Sequence, residues 1–290
     1  MANLLKSFRT GETDLKPKFD WYQATVPAFQ PALLHGLRPH LPEPLLEIPG
    51  KGMNSYAHRL DLCHASEVFW TVLWGGTNPH PHVKAGGDHA PGLADALRST
   101  FPDHRVSRVD VAVDYRGNTA FDDTVLLMSE IGRQHRLKGS KIVPDDPDDG
   151  STYYLGGKQS AVQLRCYEKG KELYKKTGDP VWKNLFDQVR IELQVRPQKK
   201  FKSTAALMEP EAFWGCSRWT AEIASGVLSM NVEPVRMKPT PIADHDRAMN
   251  YLIQHYGRTM LRQRDRLGSQ EAFCADLKAR LDLYAETLSD

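Results

Sequence analysis

Residues 151–176 read STYYLGGKQSAVQLRCYEKGKELYKK. Tyr153, Tyr154 and Leu155 are strand formers, Gly156 and Gly157 interrupt the run, and 161–167 alternates apolar with polar residues. In that alternation Val162, Leu164 and Cys166 share one face, while Gln163, Arg165 and Tyr167 share the other. A predicted basic helix follows at once and delivers Lys169, Lys171, Lys175 and Lys176. A phenol among cations, aimed away from a core face, suits phosphate chemistry, and Tyr167 is the candidate nucleophile toward a phosphodiester. A phenol with an ordinary pKa of about 10 needs a cation or metal beside it to attack at neutral pH. Lys169 and Lys171 are the candidate helpers, Lys171 lying one turn on if the helix begins at Tyr167. Tyr153, Tyr154 and Tyr174 share the stretch and compete for the role, and core packing is the other common use of a strand tyrosine.

Two more strands carry acids on one face. In 105–115, RVSRVDVAVDY, Val109, Val111 and Val113 oppose Arg108, Asp110, Ala112 and Asp114. In 188–196, QVRIELQVR, Val189, Ile191, Leu193 and Val195 oppose Arg190, Glu192, Gln194 and Arg196. Carboxylates on central-looking strands are costly to desolvate unless they bind something. Asp110, Asp114 and Glu192 are therefore candidate ligands for a hard divalent cation, Mg²⁺ or Mn²⁺. On a straight strand Asp110 and Asp114 stand about 13 Å apart, so Asp110 with Glu192 is the more economical pair. Salt bridges to Arg108, Arg190 and Arg196 are the alternative use of the same acids. His80 and His82, with His89 nearby, form a weaker metal candidate in a loop-like setting. Phe213, Trp214 and Trp219 could stack bases, but core packing is their expected place.

Net charge is only +2, so the distribution matters more than the total. Over 196–202, Arg196, Lys199, Lys200 and Lys202 stand without an acid, while acid gathers at Asp145, Asp146, Asp148 and Asp149. Together with Lys158, Arg165 and Arg190, these cations mark a candidate DNA-backbone surface. A merely solvated basic face is the competing reading.

The elements that must position these groups alternate between strands and helices. Strands are expected at 19–26, 56–63, 68–74, 82–86, 105–115, 153–155, 161–167 and 188–196. Helices are expected at 28–41, 93–101 and 121–136, with a mostly helical 204–228. The fold class is α+β: an antiparallel-rich central sheet with flanking helices and a small helical C-terminal tail. Residues 1–18 are expected to be a flexible arm, 19–230 the catalytic unit, 231–243 a linker holding Pro234, Pro239 and Pro241, and 244–290 the tail. Gly257 and Gly268 punctuate that tail, with amphipathic helices expected at 244–256 and 270–288. No stretch of about 18 apolar residues occurs, no secretory pattern is seen, and the four cysteines form no C-x-x-C pair. These features point to a cytoplasmic protein with reduced thiols and without a zinc site.

The blocks RVDVAVDY, TYYLGGKQSAVQLRCYEKGKE and VRIELQVR, with the opening FDWYQATVP, resemble the core of the Rep_trans-type replication initiation factors of rolling-circle plasmids, filamentous phages and integrative conjugative elements. The resemblance covers roughly 19–230. It implies a fold similar to that of HUH nickases, with a metal held mainly by carboxylates. It also implies an enzyme that nicks one strand of origin DNA, becomes linked to the 5′-phosphate through tyrosine, and later rejoins the strand. Carried onto this chain, the tyrosine is Tyr167 and the acidic positions are Asp110, Asp114 and Glu192. Origin DNA, a host helicase and a second copy of the chain are the expected partners, in the cytoplasm of a bacterial host and without a membrane. A conjugative relaxase on the same core and a non-catalytic origin-binding regulator are the alternatives.

Overall fold

The computed structural model describes residues 15–235 and 244–286, and the chain divides into two compact units between Met237 and Lys238. In the first, β1 (Lys18–Thr25) leads to α1 (Gln30–Leu37) and then to β2 (Leu46–Lys51), β3 (His58–His64), β4 (Glu67–Trp74) and β5 (His82–Gly86). After α2 (Ala90–Thr100) come β6 (Arg105–Arg116), α3 (Ala120–Gln134), β7 (Gly139–Ile142), β8 (Thr152–Leu155) and β9 (Val162–Glu168). The unit ends with α4 (Lys169–Thr177), β10 (Gln188–Val195), α5 (Phe201–Ala206) and α6 (Arg218–Leu228).

The ten strands form one sheet in the order β2-β3-β4-β5-β1-β6-β10-β9-β8-β7, with every pairing antiparallel. The order follows from the residues. β6 is the longest strand and alternates valines with polar groups, so it takes a central place with both edges paired, to β1 and to β10. Its valines and the apolar sides of β9 and β10 are buried together with Phe213 and Trp214, and with Leu93 and Leu97 of α2. Each of these fully buried large side chains contributes about 1.5–3 kcal/mol relative to exposure. Two buried hydroxyls are satisfied inside this layer: Tyr22 pairs with His104 Nε2 at 2.7 Å, and Tyr115 with Thr124 Oγ1 at 2.7 Å. Helices cover this apolar face, while the opposite face of the central strands is polar and open.

Several expectations need correction. The mostly helical stretch 204–228 is three pieces: α5, a 3-10 segment over Pro210–Cys216, and α6. Pro210 ends the helical run, and a capping box of Ser217 with Thr220 starts the next. Phe213, Trp214 and Trp219 lie in the core, as packing predicts. Strands β2 and β7 are both additions, edge strands whose side chains are all exposed. The helix expected at 28–41 stops at Leu37 and tightens into a 3-10 turn over Arg38–His40.

The second unit contains α7 (Asp244–Leu267) and α8 (Gln270–Glu286), joined at Gly268, whose φ of 79° an L side chain would resist. Gly257 does not interrupt α7. Gln263 Nε2 donates to Asp276 Oδ2 at 3.0 Å between the two helices. Of the predicted arm, residues 1–14 lie outside the described residues, as do 236–243 of the predicted linker. Among the described residues no helix is long and apolar enough to cross a membrane.

Candidate active site on the open face of the sheet

Strand register decides which polar groups meet. Arg190 of β10 stands across from Asp114 on β6 and from Tyr167 on β9. One step along, Glu192 faces Ala112 and Arg165, and Gln194 faces Asp110 and Gln163. On the flanks, Trp21 of β1 is paired with Asp110, and Tyr154 of β8 with Arg165. These rows enclose a cleft of about 210 Å³ whose walls include Asp20, Asp110, Glu192, Arg108 and Arg165, with Trp21 and Tyr154 at the sides.

Inside it the acids and bases are partitioned. Asp110 accepts from Arg108 Nε at 2.8 Å and Nη2 at 2.5 Å. Glu192 accepts from Arg165 Nη2 at 2.6 Å. Burial pushes the Glu192 carboxyl up, the Arg165 charge pulls it down, and the charges of Asp110 and Asp20 push it further up. Asp114 is elsewhere: Arg190 donates to it from Nε at 2.6 Å and from Nη2 at 2.7 Å, and Nη1 of the same guanidinium reaches Asp20 Oδ1 at 2.7 Å. The predicted triad of Asp110, Asp114 and Glu192 is therefore not brought together. Asp114 is absent from the cleft wall, where Asp20 takes its place. Asp20 was invisible to strand alternation because a register shift between Phe19 and Trp21 releases it from the regular pattern.

Tyr167 is only 5% exposed. The Arg165 guanidinium lies over its ring at 4.5 Å and Lys169 Nζ at 5.6 Å. Burial holds its phenol well above the ordinary value. The Glu192 charge adds to that rise, while Arg190 and Arg165 oppose it. The helix begins at Lys169, two residues later than the spacing argument for Lys171 requires. Lys171 Nζ instead pairs with Glu168 Oε1 at 2.7 Å, so of the two predicted helpers only Lys169 touches the ring. Lys169 also pairs with Glu172 at 2.6 Å. Of the rival tyrosines, Tyr153 is buried in the core and Tyr174 packs on Phe186 from α4, whereas Tyr154 is half-buried and lines the cleft.

The other predicted DNA contacts divide between structural and exposed roles. Arg190 is buried between its two carboxylates. Arg196 Nη1 donates to the carbonyls of Lys158 and Ser160, both at 3.0 Å, and pins the turn before β9. Lys158, Lys199 and Lys200 are exposed, and Lys202 is half-buried. The histidine pair does not form a site. His82 is buried, stacked on Tyr56 and held by burial at about 4, while His89 stacks on Phe69.

The donors around the cleft fit a hard divalent ion in one particular way. Among the described residues no three His, Cys, Asp or Glu side chains group closely enough to hold a metal alone. Asp110 and Glu192 are oxygen donors, however, and Gln194 Oε1 is buried with no hydrogen-bond partner. Mg²⁺ is commonly held by one or two carboxylates with substrate phosphate completing its shell. On the cation side, Arg165 Nε is likewise buried without an acceptor.

A search of curated proteins finds no match. Among solved structures, the rolling circle replication initiator protein from Geobacillus stearothermophilus is similar, with 18% identity over 79% of this chain and 90% of that one, at a TM-score of 0.48. The sequence profile of the replication initiation factor family matches residues 104–251, just over half of the chain, a span that runs from the start of β6 past β9 and β10. On that match the chain belongs to the replication initiation factor family.

Proposed function

We propose that this chain initiates rolling-circle replication by nicking one strand of origin DNA through Tyr167 and later rejoining it. What carries the reading is one open sheet face that sets Tyr167 under Arg165, beside Arg190 and Lys169, with Glu192 and Asp110 in the adjoining cleft. In the nicking step Tyr167 Oη attacks the scissile phosphorus and the P–O3′ bond breaks. A 5′-phosphotyrosyl bond forms, and the phenolic proton passes in net to the departing 3′ oxygen. The exchange is one phosphodiester for another, so the 3′-OH can reverse it at closure. Arg165, whose Nε has no acceptor, binds a non-bridging phosphate oxygen, and Lys169 adds positive charge at the ring. Burial keeps Tyr167 protonated in the free protein, so the proton leaves only as the phenol attacks, and the charges of Arg190 and Arg165 favour the phenolate that develops. Mg²⁺ or Mn²⁺, held by Asp110, Glu192 and the Gln194 amide oxygen, would supply further positive charge to the phosphate.

A second reading has Tyr154 as the nucleophile, because it lines the cleft and is more exposed than Tyr167. A host helicase and a second copy of the chain complete the proposed machinery, acting in the bacterial cytoplasm. The test is covalent trapping with Mn²⁺ on single-stranded oligonucleotides tiling the origin, read on denaturing gels with peptide mapping. An adduct on Tyr167, lost in Tyr167→Phe and in Glu192→Gln, is expected. An adduct on Tyr154 moves the nucleophile one strand over. Tight metal-independent binding without any adduct replaces the nickase with an origin-binding regulator.

A further inference from the structure

We propose that Trp21, with Lys84 and Lys202 beyond it, forms a track that stacks an unpaired base and holds the phosphates of single-stranded DNA leaving the cleft. Resting on the nicking reading above, it assigns substrate contacts to β1, β5 and α5, where none was predicted except Lys202.

The indole is placed like a platform. It forms a side of the cleft directly across the β1–β6 pairing from Asp110. Its Nε1–H donates to Gln23 Oε1 at 2.9 Å, and Gln23 Nε2 donates in turn to Ser107 Oγ at 3.1 Å. On β5 the facing residue is Gly86, where a Cβ would come within 2.9 Å of the indole Cε3. The missing side chain lets the ring lie close to the strand. The Arg108 guanidinium and Lys84 Nζ lie over the ring, 5.2 and 5.6 Å from its centroid. A half-buried tryptophan in a polar cleft, fixed at its N–H and flanked by cations, offers a sequence-tolerant π-surface to an unpaired base. A paired base has no face to give it, which selects single-stranded over duplex DNA.

The charge pattern changes beyond the indole. Each arginine of the cleft has a carboxylate, Arg108 with Asp110 and Arg165 with Glu192, and the neighbouring Arg190 has Asp114 and Asp20. Among the described residues no carboxylate lies within ion-pair distance of Lys84 or Lys202. Lys84 Nζ meets only the Met53 sulfur, at 3.4 Å, and the Trp21 ring. Both lysines are half-buried. Burial lowers both pKa values; Arg59 adds to the effect at Lys84 while the Asp61 charge opposes it, and Arg105 adds to the effect at Lys202. Lys84 pairs with Gln23, while Thr25 pairs with His82 on one side and with Arg105 of β6 on the other, and α5 packs on β6; the charges of Lys84 and Lys202 both act on His82 at this end of the sheet. His82 itself is neutral and adds no competing charge. Half-buried ammonium groups without an ion-pair partner are unfavourable by themselves, and phosphates spaced along a strand are the anion this geometry can take.

The test uses the full chain and a fluorescein-labelled oligothymidine, with anisotropy titrations over a series of salt concentrations. Trp21→Leu keeps an apolar side chain over Gly86 but removes the π-face. It is expected to weaken binding roughly 5- to 150-fold with an unchanged salt slope. Trp21→Phe is expected to stay within about threefold of the native protein, because the π-face remains. Lys84→Met and Lys202→Met are each expected to shrink the slope of log K against log salt by about 0.7. Native-like binding by Trp21→Leu overturns the track, and so does equal loss in the Leu and Phe variants, since loss would then follow the indole N–H. Unchanged slopes in both lysine variants overturn its phosphate half. Covalent trapping on the native chain separates the two readings: an adduct with native-like oligothymidine binding by Trp21→Leu leaves the nickase standing and removes the track. No adduct, with binding lost in Trp21→Leu, does the reverse.

Discussion

Asp110 and Asp114 lie four residues apart on one strand, yet their surroundings predict opposite responses to mutation. Asp114 and Asp20 jointly hold the Arg190 guanidinium, which is 9% exposed, through three hydrogen bonds of 2.6 to 2.7 Å. Stranding a buried charge costs about 3–5 kcal/mol. In Asp114→Asn the charge is not fully stranded, because Asp20 remains and the amide oxygen still accepts one bond. The loss should then resemble one hydrogen bond to a charged group, about 2 kcal/mol. For a domain of this size each kcal/mol moves the melting temperature by about 2–4 °C, so a fall of roughly 4–8 °C is expected. Asp110 is paired instead with Arg108, which is 31% exposed and can turn to solvent when its partner is neutralised. Asp110→Asn should melt within about 3 °C of the native protein. The adducts should sort the other way: present for Asp114→Asn well below its melting temperature, absent for Asp110→Asn. Calorimetry and covalent trapping on the same samples decide the matter. An Asp114→Asn protein that melts like the native chain but forms no adduct would refute this division and return Asp114 to the chemistry.

Acid should expose a second buried group. His82 has a folded pKa of about 4 against about 6.5 when unfolded, so only the unfolded chain takes up its proton between those values. That stability is fully present above about pH 6.5 and is lost as pH falls toward about 4, by about 3 kcal/mol in all. Urea denaturation across this window should show the loss, and His82→Gln should flatten it. At the base of α4, a Cβ on Gly170 would run into the backbone carbonyl of Leu185, a contact that no side-chain rotation relieves. Gly170→Ala should cost about 1–3 kcal/mol, seen as a lower melting temperature. It should also reduce adduct yield, because Lys169 sits in the same first turn.

The parts of the site that could be read directly from the residues are those governed by alternation. On β6, β9 and β10 the apolar and polar positions repeat every second residue, and the register keeps the assigned polar residues in step from strand to strand, except Arg196, which lies beyond the end of β10. Pairing partners were not legible, because they depend on register. A one-residue slip of β10 against β6 would move Arg190 from Asp114 to Val113 or Tyr115 and flip its side chain to the other face. Asp20 depends on a bulge, which no periodicity announces. The edge strands β2 and β7 bury no side chain, so they present no apolar period to detect, and Pro49 with Gly50 argues against a strand at all. Lys171 was misplaced by two residues of helix phase. The helix starts after Glu168, so a position expected over the phenol instead meets the last residue of β9.

The near-neutral charge of the chain has a physical explanation in this arrangement. Arg108, Arg165 and Arg190 are neutralised in the free protein by Asp110, Glu192, Asp114 and Asp20, which keeps clustered cations from opposing folding. An incoming phosphate therefore gains little from Arg108 or Arg190, whose fork positions are taken. It gains most from Arg165, where one N–H is free and the single carboxylate contact leaves Glu192 with an oxygen to spare. On the proposed track, affinity for the polyanion falls instead to lysines without an ion pair, Lys84 and Lys202 among them, away from the reacting atoms. Such a division lets binding strength and salt dependence change without disturbing the alignment around Tyr167. Neutralising either lysine should then shift KM for nicking with kcat held, whereas Arg165→Met should lower kcat because it removes the contact made to the phosphate under attack.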